Sequence, residues 1–88
     1  MAVPYNIEII TPQGIALTAQ VTHTLVPGWD GFVGVLANHA PYVTFSPGGR
    51  LEIRETSGAE KKYKAGPGFF EVAHNKASFL TQSLSAAG

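Results

Sequence analysis

Val26-Pro27-Gly28-Trp29-Asp30-Gly31-Phe32-Val33-Gly34-Val35-Leu36-Ala37-Asn38-His39-Ala40-Pro41-Tyr42-Val43-Thr44 is the stretch from which the fold is read. Pro-Gly and Asp-Gly form turns, because Pro presets φ and Gly accepts φ > 0. They bracket a short apolar run, Phe32 to Leu36. A loop from Ala37 to Pro41 then leads into another β-prone run. Pro41 biases Ala40 toward extended backbone. Turn, strand, loop, strand is the rhythm of an all-β chain.

The same rhythm holds on both sides. Asn6-Ile7-Glu8-Ile9 alternates in polarity, and so does Arg50-Leu51-Glu52-Ile53-Arg54. A period of two puts one set of side chains in a core and the other in water. Turn signals recur at Pro12-Gln13-Gly14, Pro47-Gly48-Gly49, Ser57-Gly58, Gly66-Pro67-Gly68 and His74-Asn75. Strands are expected near 5–10, 15–19, 21–27, 32–36, 42–46, 49–55, 61–65, 68–73 and 76–81. The expected fold is an all-β antiparallel sandwich of nine to ten short strands in two sheets. Its layers would meet through Ile7, Ile9, Leu25, Val33, Val35, Leu51, Ile53, Tyr63, Phe70, Val72 and Phe79. Residues 1–82 form the domain, and the small polar residues 83–88 are expected to fray.

Eighty-eight residues make one small domain. With 44% hydrophobic residues a core is within reach, although a chain of this size buries only about 60% of its unfolded surface. No apolar run is long enough to span a membrane, so direct membrane insertion is not expected. The start lacks the basic and apolar regions of an export signal. There is no cysteine, hence no disulfide framework. Net charge is zero, which argues against nucleic acid as a partner. All six basic residues lie at or beyond Arg50, and before it the acids are Glu8 and Asp30. So weakly charged a half-chain is either a solvated Ser/Thr/Asn/Gly surface or one that meets another protein.

Reactive constellations are not evident. His23, His39 and His74 sit in no metal-ligand spacing. No Gly-x-Ser-x-Gly presents a nucleophile. Glu55 and Glu60 flank a hairpin tip and read as solvated charges. Gly28, Gly31 and Gly34 lack the Lys-Ser/Thr and following helix of a phosphate loop. They read instead as glycines for tight turns and close strand approach. Gly66, Gly68 and Pro41 join them as structural turn positions. Trp29 in a Pro-Gly-Trp-Asp-Gly turn either meets a partner or folds over the core end. No cofactor is implied.

The opening stretch also resembles the signature of the ε subunit of rotary ATP synthases, in its N-terminal β-sandwich. That family reads V-x-G-x-x-G-x-x-G-x-L/Y-x-x-H-A-P-hydrophobic-x-T. Val26, Gly28, Gly31, Gly34, His39, Ala40, Pro41 and Thr44 stand in its register. Tyr5 to Pro12 is similar to the family's first strand and turn, and Gly66 to Val72 to its G-G-hydrophobic-hydrophobic-E-V element. Family members commonly continue into two C-terminal helices that carry inhibition and, in some, bind ATP. The seven residues after Thr81 are too few for that hairpin, so neither property is expected of this chain.

The resemblance implies a non-catalytic central-stalk subunit. It would bind the γ subunit and the c-ring at the cytoplasmic face of an energy-transducing membrane and couple ion transport to ATP synthesis. Carried over residue by residue, Thr11, His39 and Thr44 become candidate γ contacts. Trp29, Asp30 and Phe32 become candidate c-ring contacts. Many members have an acid where this chain has Phe32, which points here to an apolar contact by Trp29 and Phe32. The alternative is a small-ligand or carbohydrate-binding sandwich, with a groove drawn from Tyr42, Tyr63, Phe69 and Phe70.

Overall fold

The computed structural model describes residues 3–87. Nine strands follow in chain order: β1 Tyr5–Thr11, β2 Gly14–Gly28, β3 Gly31–Val35, β4 Tyr42–Ser46, β5 Gly49–Glu55, β6 Glu60–Ala65, β7 Gly68–Ala73, β8 Lys76–Thr81 and β9 Leu84–Ala86. No helix occurs among the described residues. Hydrogen bonds link the strands in the order β4-β7-β8-β1-β2-β5-β6-β9, with β3 also on β2.

Two parts of the expected architecture need correction. The pairing is mixed, because β1 and β8 run parallel, Ile7 opposite Ala77 and Ile9 opposite Phe79. The ladder is also continuous and does not separate into two sheets. The continuity lies in β2, a single 15-residue strand where two were expected. Its first half pairs with β1. Its second half takes β5 on one edge and β3 on the other. Gln20 carries no turn signal and does not break the strand.

The core gathers inward residues from both halves of this ladder. Ile7, Ile9, Val35, Leu51, Ile53, Phe70, Val72 and Phe79 are buried, as the alternation predicts, and Tyr5, Val21, Val26, Ala65 and Ala77 join them. Phe70 and Phe79 meet edge to face, centroids 6.2 Å apart. Leu25 is a correction. The register of β2 on β5 shifts between Val21 and His23, and an extra residue in a strand inverts its alternation. Thr24 and Val26 therefore point inward, and Leu25 lies opposite Glu52.

The chain end is also more ordered than its composition suggests. Leu84 pairs with Ala65 and Ala86 with Tyr63, and Ala87 N donates to Lys62 O at 3.0 Å. Half-buried Leu84 packs on the core, which gives this segment an apolar anchor. Gly88, the last residue expected to fray, lies outside the described residues.

Among the described residues Tyr5 is the one ionisable group in this interior. Its hydroxyl donates to Val35 O at 2.8 Å and shares a hydrogen bond with Thr24 Oγ1 at 2.7 Å. Burial pushes its pKa above the ordinary 10.0, and the Thr24 bond offsets this only in part. Tyr5→Phe leaves Val35 O without this donor and is expected to cost about 1–2 kcal/mol in thermal unfolding. Because the folded-state pKa is raised, the wild-type advantage is complete below pH ~10 and lost as pH rises through the folded pKa. Melts of both proteins from pH 7 to 11 check this. A gap that widens with pH would contradict it.

Candidate functional site

In β1, β7 and β8 an apolar doublet interrupts the polar alternation: Ile9-Ile10, Phe69-Phe70 and Phe79-Leu80. Strand neighbours point to opposite faces, so each doublet sends one side chain inward and one outward. Ile9, Phe70 and Phe79 are the inward members. The outward members fall into one register. Phe45 is opposite Phe69, Phe69 opposite Leu80, Leu80 opposite Ile10, and Ile10 opposite Ile15. The result is an apolar row crossing five strands, roughly 19 Å at about 4.8 Å per strand.

This row is open to solvent. Phe69 is 57% exposed, Leu80 52%, Ile15 63% and Phe45 39%. Trp29 extends it from the β2–β3 turn, its ring 5.5 Å from that of Phe45, which stands 5.5 Å from Phe69. A groove of about 610 Å³ follows the row, with Thr11, Pro12, Pro67 and Gln82 among its lining residues. Outward positions of a sandwich are ordinarily polar, and contiguous exposed apolar surface marks an interaction site.

The other proposed groove does not form. Phe70 is buried, Tyr63 packs on the core from β6, and Tyr42 sits against His39 with centroids 6.1 Å apart. Phe69 alone of the four lies in the apolar groove. Among the described residues no group of three or more His, Asp or Glu could hold a metal.

The residues singled out in the sequence separate into four places. Thr11 lines the groove, its hydroxyl donating at 3.3 Å to Gly14 O in the β1–β2 turn. His39 lies at the other end of β1, in a pocket with Asn38, Pro41, His74 and Asn75. That end is tied together by Asn38 N donating to Asn75 Oδ1 and Asn6 N to Asn75 O. His39 Nδ1 lies 2.7 Å from Ala40 O. Thr44 is half-buried opposite core residue Phe70, so its side chain faces away from the row. Trp29 and Asp30 form the two-residue tip of the β2–β3 hairpin, where Gly28 pairs with Gly31. Trp29 leans on Phe45, whereas Phe32 pairs with buried Pro27 and is 59% exposed. Phe32 is not among the residues lining the groove and has no ring contact with Phe45 or Phe69.

The glycines divide too. Gly31 has φ +123°, a conformation that other residues rarely adopt. At Gly28 a Cβ would come within 2.9 Å of Gly31 O, and at Gly66 within 2.9 Å of Ser83 Oγ. Gly68 is tighter still, with a Cβ falling onto Leu80 O. Gly34 departs from the expected close approach, because a Cβ there meets only His23 Nε2, at 3.8 Å. Pro41 is exposed just before β4.

Comparison with known proteins places this geometry. Residues 4–87 match the family described as ATP synthase, Delta/Epsilon chain, beta-sandwich domain. The chain is 32% identical over 81 residues to the ATP synthase epsilon chain of Chlorobium limicola, covering 92% of each. It is 39% identical over 83 residues to that of Anaeromyxobacter sp. (strain K), covering 94% of this chain and 62% of the relative. Among solved structures it resembles a chain in the Euglena gracilis mitochondrial ATP synthase OSCP/F1/c-ring assembly, with TM-score 0.85 and 22% identity, covering 91% of this chain and 51% of that one. A chain of the Tetrahymena thermophila mitochondrial ATP synthase central stalk and c-ring matches with TM-score 0.78 and 15% identity, covering 92% and 65%. At such identities the structural likeness speaks to the fold.

Proposed function

Because the chain belongs to the ATP synthase delta/epsilon β-sandwich family, we propose that it is a non-catalytic rotor subunit of the central stalk. It binds the γ subunit along the apolar row and the c-ring at the hairpin tip, so that rotation of the ring is passed to the shaft. It does no chemistry of its own. The observation behind this reading is the row itself: Phe45, Phe69, Leu80, Ile10 and Ile15 in one register on an outward face. A subunit working only through contacts needs such a surface, and a row crossing five strands resists shear better than a mobile loop.

Within this reading, Thr11 meets γ from inside the groove. His39, at the far end of β1, marks how far along the sheet the shaft would extend. Thr44 acts from behind, packing beside Gly28 under the hairpin tip. Trp29 and Asp30 reach the ring, with Phe32 on the adjoining surface. The subunit is peripheral to the cytoplasmic face of an energy-transducing membrane. No helix among the described residues is long and apolar enough to cross one.

The test is co-elution. Mixed with the isolated γ subunit of the same synthase, the chain should run as a one-to-one complex on size exclusion. Separate elution at micromolar concentrations would contradict the proposal. The ring contact has its own prediction. Trp29→Ala should weaken attachment to the c-ring by about 2 kcal/mol while leaving the melting temperature close to wild type. ATP-driven proton pumping by the reconstituted enzyme reads this out, and unchanged coupling would assign Trp29 to the γ contact alone.

A further inference from the structure

The zero net charge conceals two opposed halves. The β5–β6 hairpin carries five cations, Arg50, Arg54, Lys61, Lys62 and Lys64, against Glu52, Glu55 and Glu60. Each of those acids has a cation within 4 Å: Arg50 on Glu52 at 3.6 Å, Arg54 on Glu60 at 3.5 Å and Lys61 on Glu55 at 3.3 Å. The half with the apolar row has the reverse balance. Glu8, Asp30 and Glu71 stand there against Lys76 alone, and none of the three acids is in an ion pair among the described residues.

Register places these acids beside the row. Two residues along from Phe69, Leu80 and Ile10 the next outward line runs Glu71, Ser78, Glu8. Two carboxylates two strands apart are separated by roughly 10 Å, with Ser78 between them. Asp30 follows Trp29 at the row's other end. Glu8 and Glu71 thus run along one side of an apolar strip, and among the described residues none of the three acids is in an ion pair, although Lys76 lines the same pocket as Glu8. The sign of the acids excludes an anionic lipid surface as the occupant and sets a second copy of the same face, acid against acid, at a disadvantage.

We propose that the segment of the γ subunit seated on the apolar row is flanked by lysine or arginine side chains, which Glu8 and Glu71 recruit. This rests on the docking of γ to the row proposed above. Apolar contact sets how long the complex lasts, and the carboxylate charges set how fast and in which orientation it forms. Trp29, the only tryptophan of the chain, lies tilted against Phe45 at the end of the row and reports on it.

Stopped-flow mixing with isolated γ, followed by Trp29 fluorescence over a salt series, tests the assignment. The double variant Glu8→Gln, Glu71→Gln should associate about tenfold more slowly at low salt, with a flatter salt dependence and little change in dissociation rate. Lys76→Gln should associate faster, since it removes the one cation of this half. The pair Lys62→Gln, Lys64→Gln, on the opposite half, should leave association unchanged. If Phe69→Ser weakens binding and the carboxylate variants associate as wild type, the charge assignment is overturned and the docking stands. If Phe69→Ser binds as wild type, the docking itself is overturned. Slowing by the Lys62 and Lys64 pair in place of the acids would move the contact to the other half.

Discussion

Gly68→Ala is expected to leave the domain unfolded or close to it. The added Cβ would fall onto the Leu80 carbonyl oxygen and within 2.8 Å of Thr81 Cα, both backbone atoms of the paired strand β8. A flexible neighbour could swing aside, but a hydrogen-bonded strand cannot. Relief requires β7 and β8 to part, in the layer that holds Phe70 and Phe79. Overpacking of a core costs about 1–3 kcal/mol, and a clash with backbone belongs at or beyond the upper end. For a domain of this size about 3 kcal/mol lowers the melting temperature by roughly 12 °C or more, against a stability that is marginal to begin with. Gly34→Ala is the matched control, with room for its methyl and an expected change under about 1 kcal/mol. Thermal melts by circular dichroism compare the two. If Gly68→Ala melts with the wild type, the close approach of β7 and β8 is wrong.

Phe69→Ser should have the largest effect on assembly. Phe69 sits in the middle of the row, between Phe45 and Leu80, where anchors are shielded from water on binding and matter most. Truncating a central aromatic costs about 2–4 kcal/mol, or roughly 30- to 1,000-fold in affinity. Because the side chain is 57% exposed in the free chain, the melting temperature should hardly move. Phe32→Ser offers the contrast: an equally exposed phenylalanine, 59%, outside the row and its groove. Calorimetric titration with γ should show affinity lost in the first variant and kept in the second. The reverse pattern would place the shaft on the β3 side.

The fold class was legible because two local signals agree. Alternation marked the inward residues of β1, β5, β7 and β8, and Gly-, Pro- and Asn-rich turns marked their ends. What escaped was non-local. Nothing near Gln20 says that β2 runs unbroken, because that depends on β1 and β5 arriving on its edges. The parallel pairing of β1 with β8 joins segments some seventy residues apart, and no turn signal encodes it. Leu25 was misplaced because a bulge, set by cross-strand register, inverted the alternation.

The candidate site shows the same division. The family-like stretch from Val26 to Thr44 drew attention to Trp29, Phe32, His39 and Thr44, and the structure scatters these over separate places. Phe45, Leu80, Ile10 and Ile15 went unnoticed, and Phe69 entered only as part of the alternative ligand groove, although a signal was present. Each apolar doublet had to place one member outside. The doublets could not be joined into a row without knowing which strands pair and in what register. Charge behaved alike: the crowding of cations beyond Arg50 was visible, but the acids Glu8 and Glu71 come together only through β8.

Hydroxyl-radical footprinting of the chain, free and within the assembled synthase, addresses the central claim most directly. Oxidation of Phe45, Phe69, Leu80 and Ile15 should be high in the free chain and fall several-fold in the complex, while Tyr63, on the β5–β6 half, keeps its free-state rate. Equal oxidation of the row in both states would show that the shaft does not sit on it, and the account of the row as a docking surface would fail.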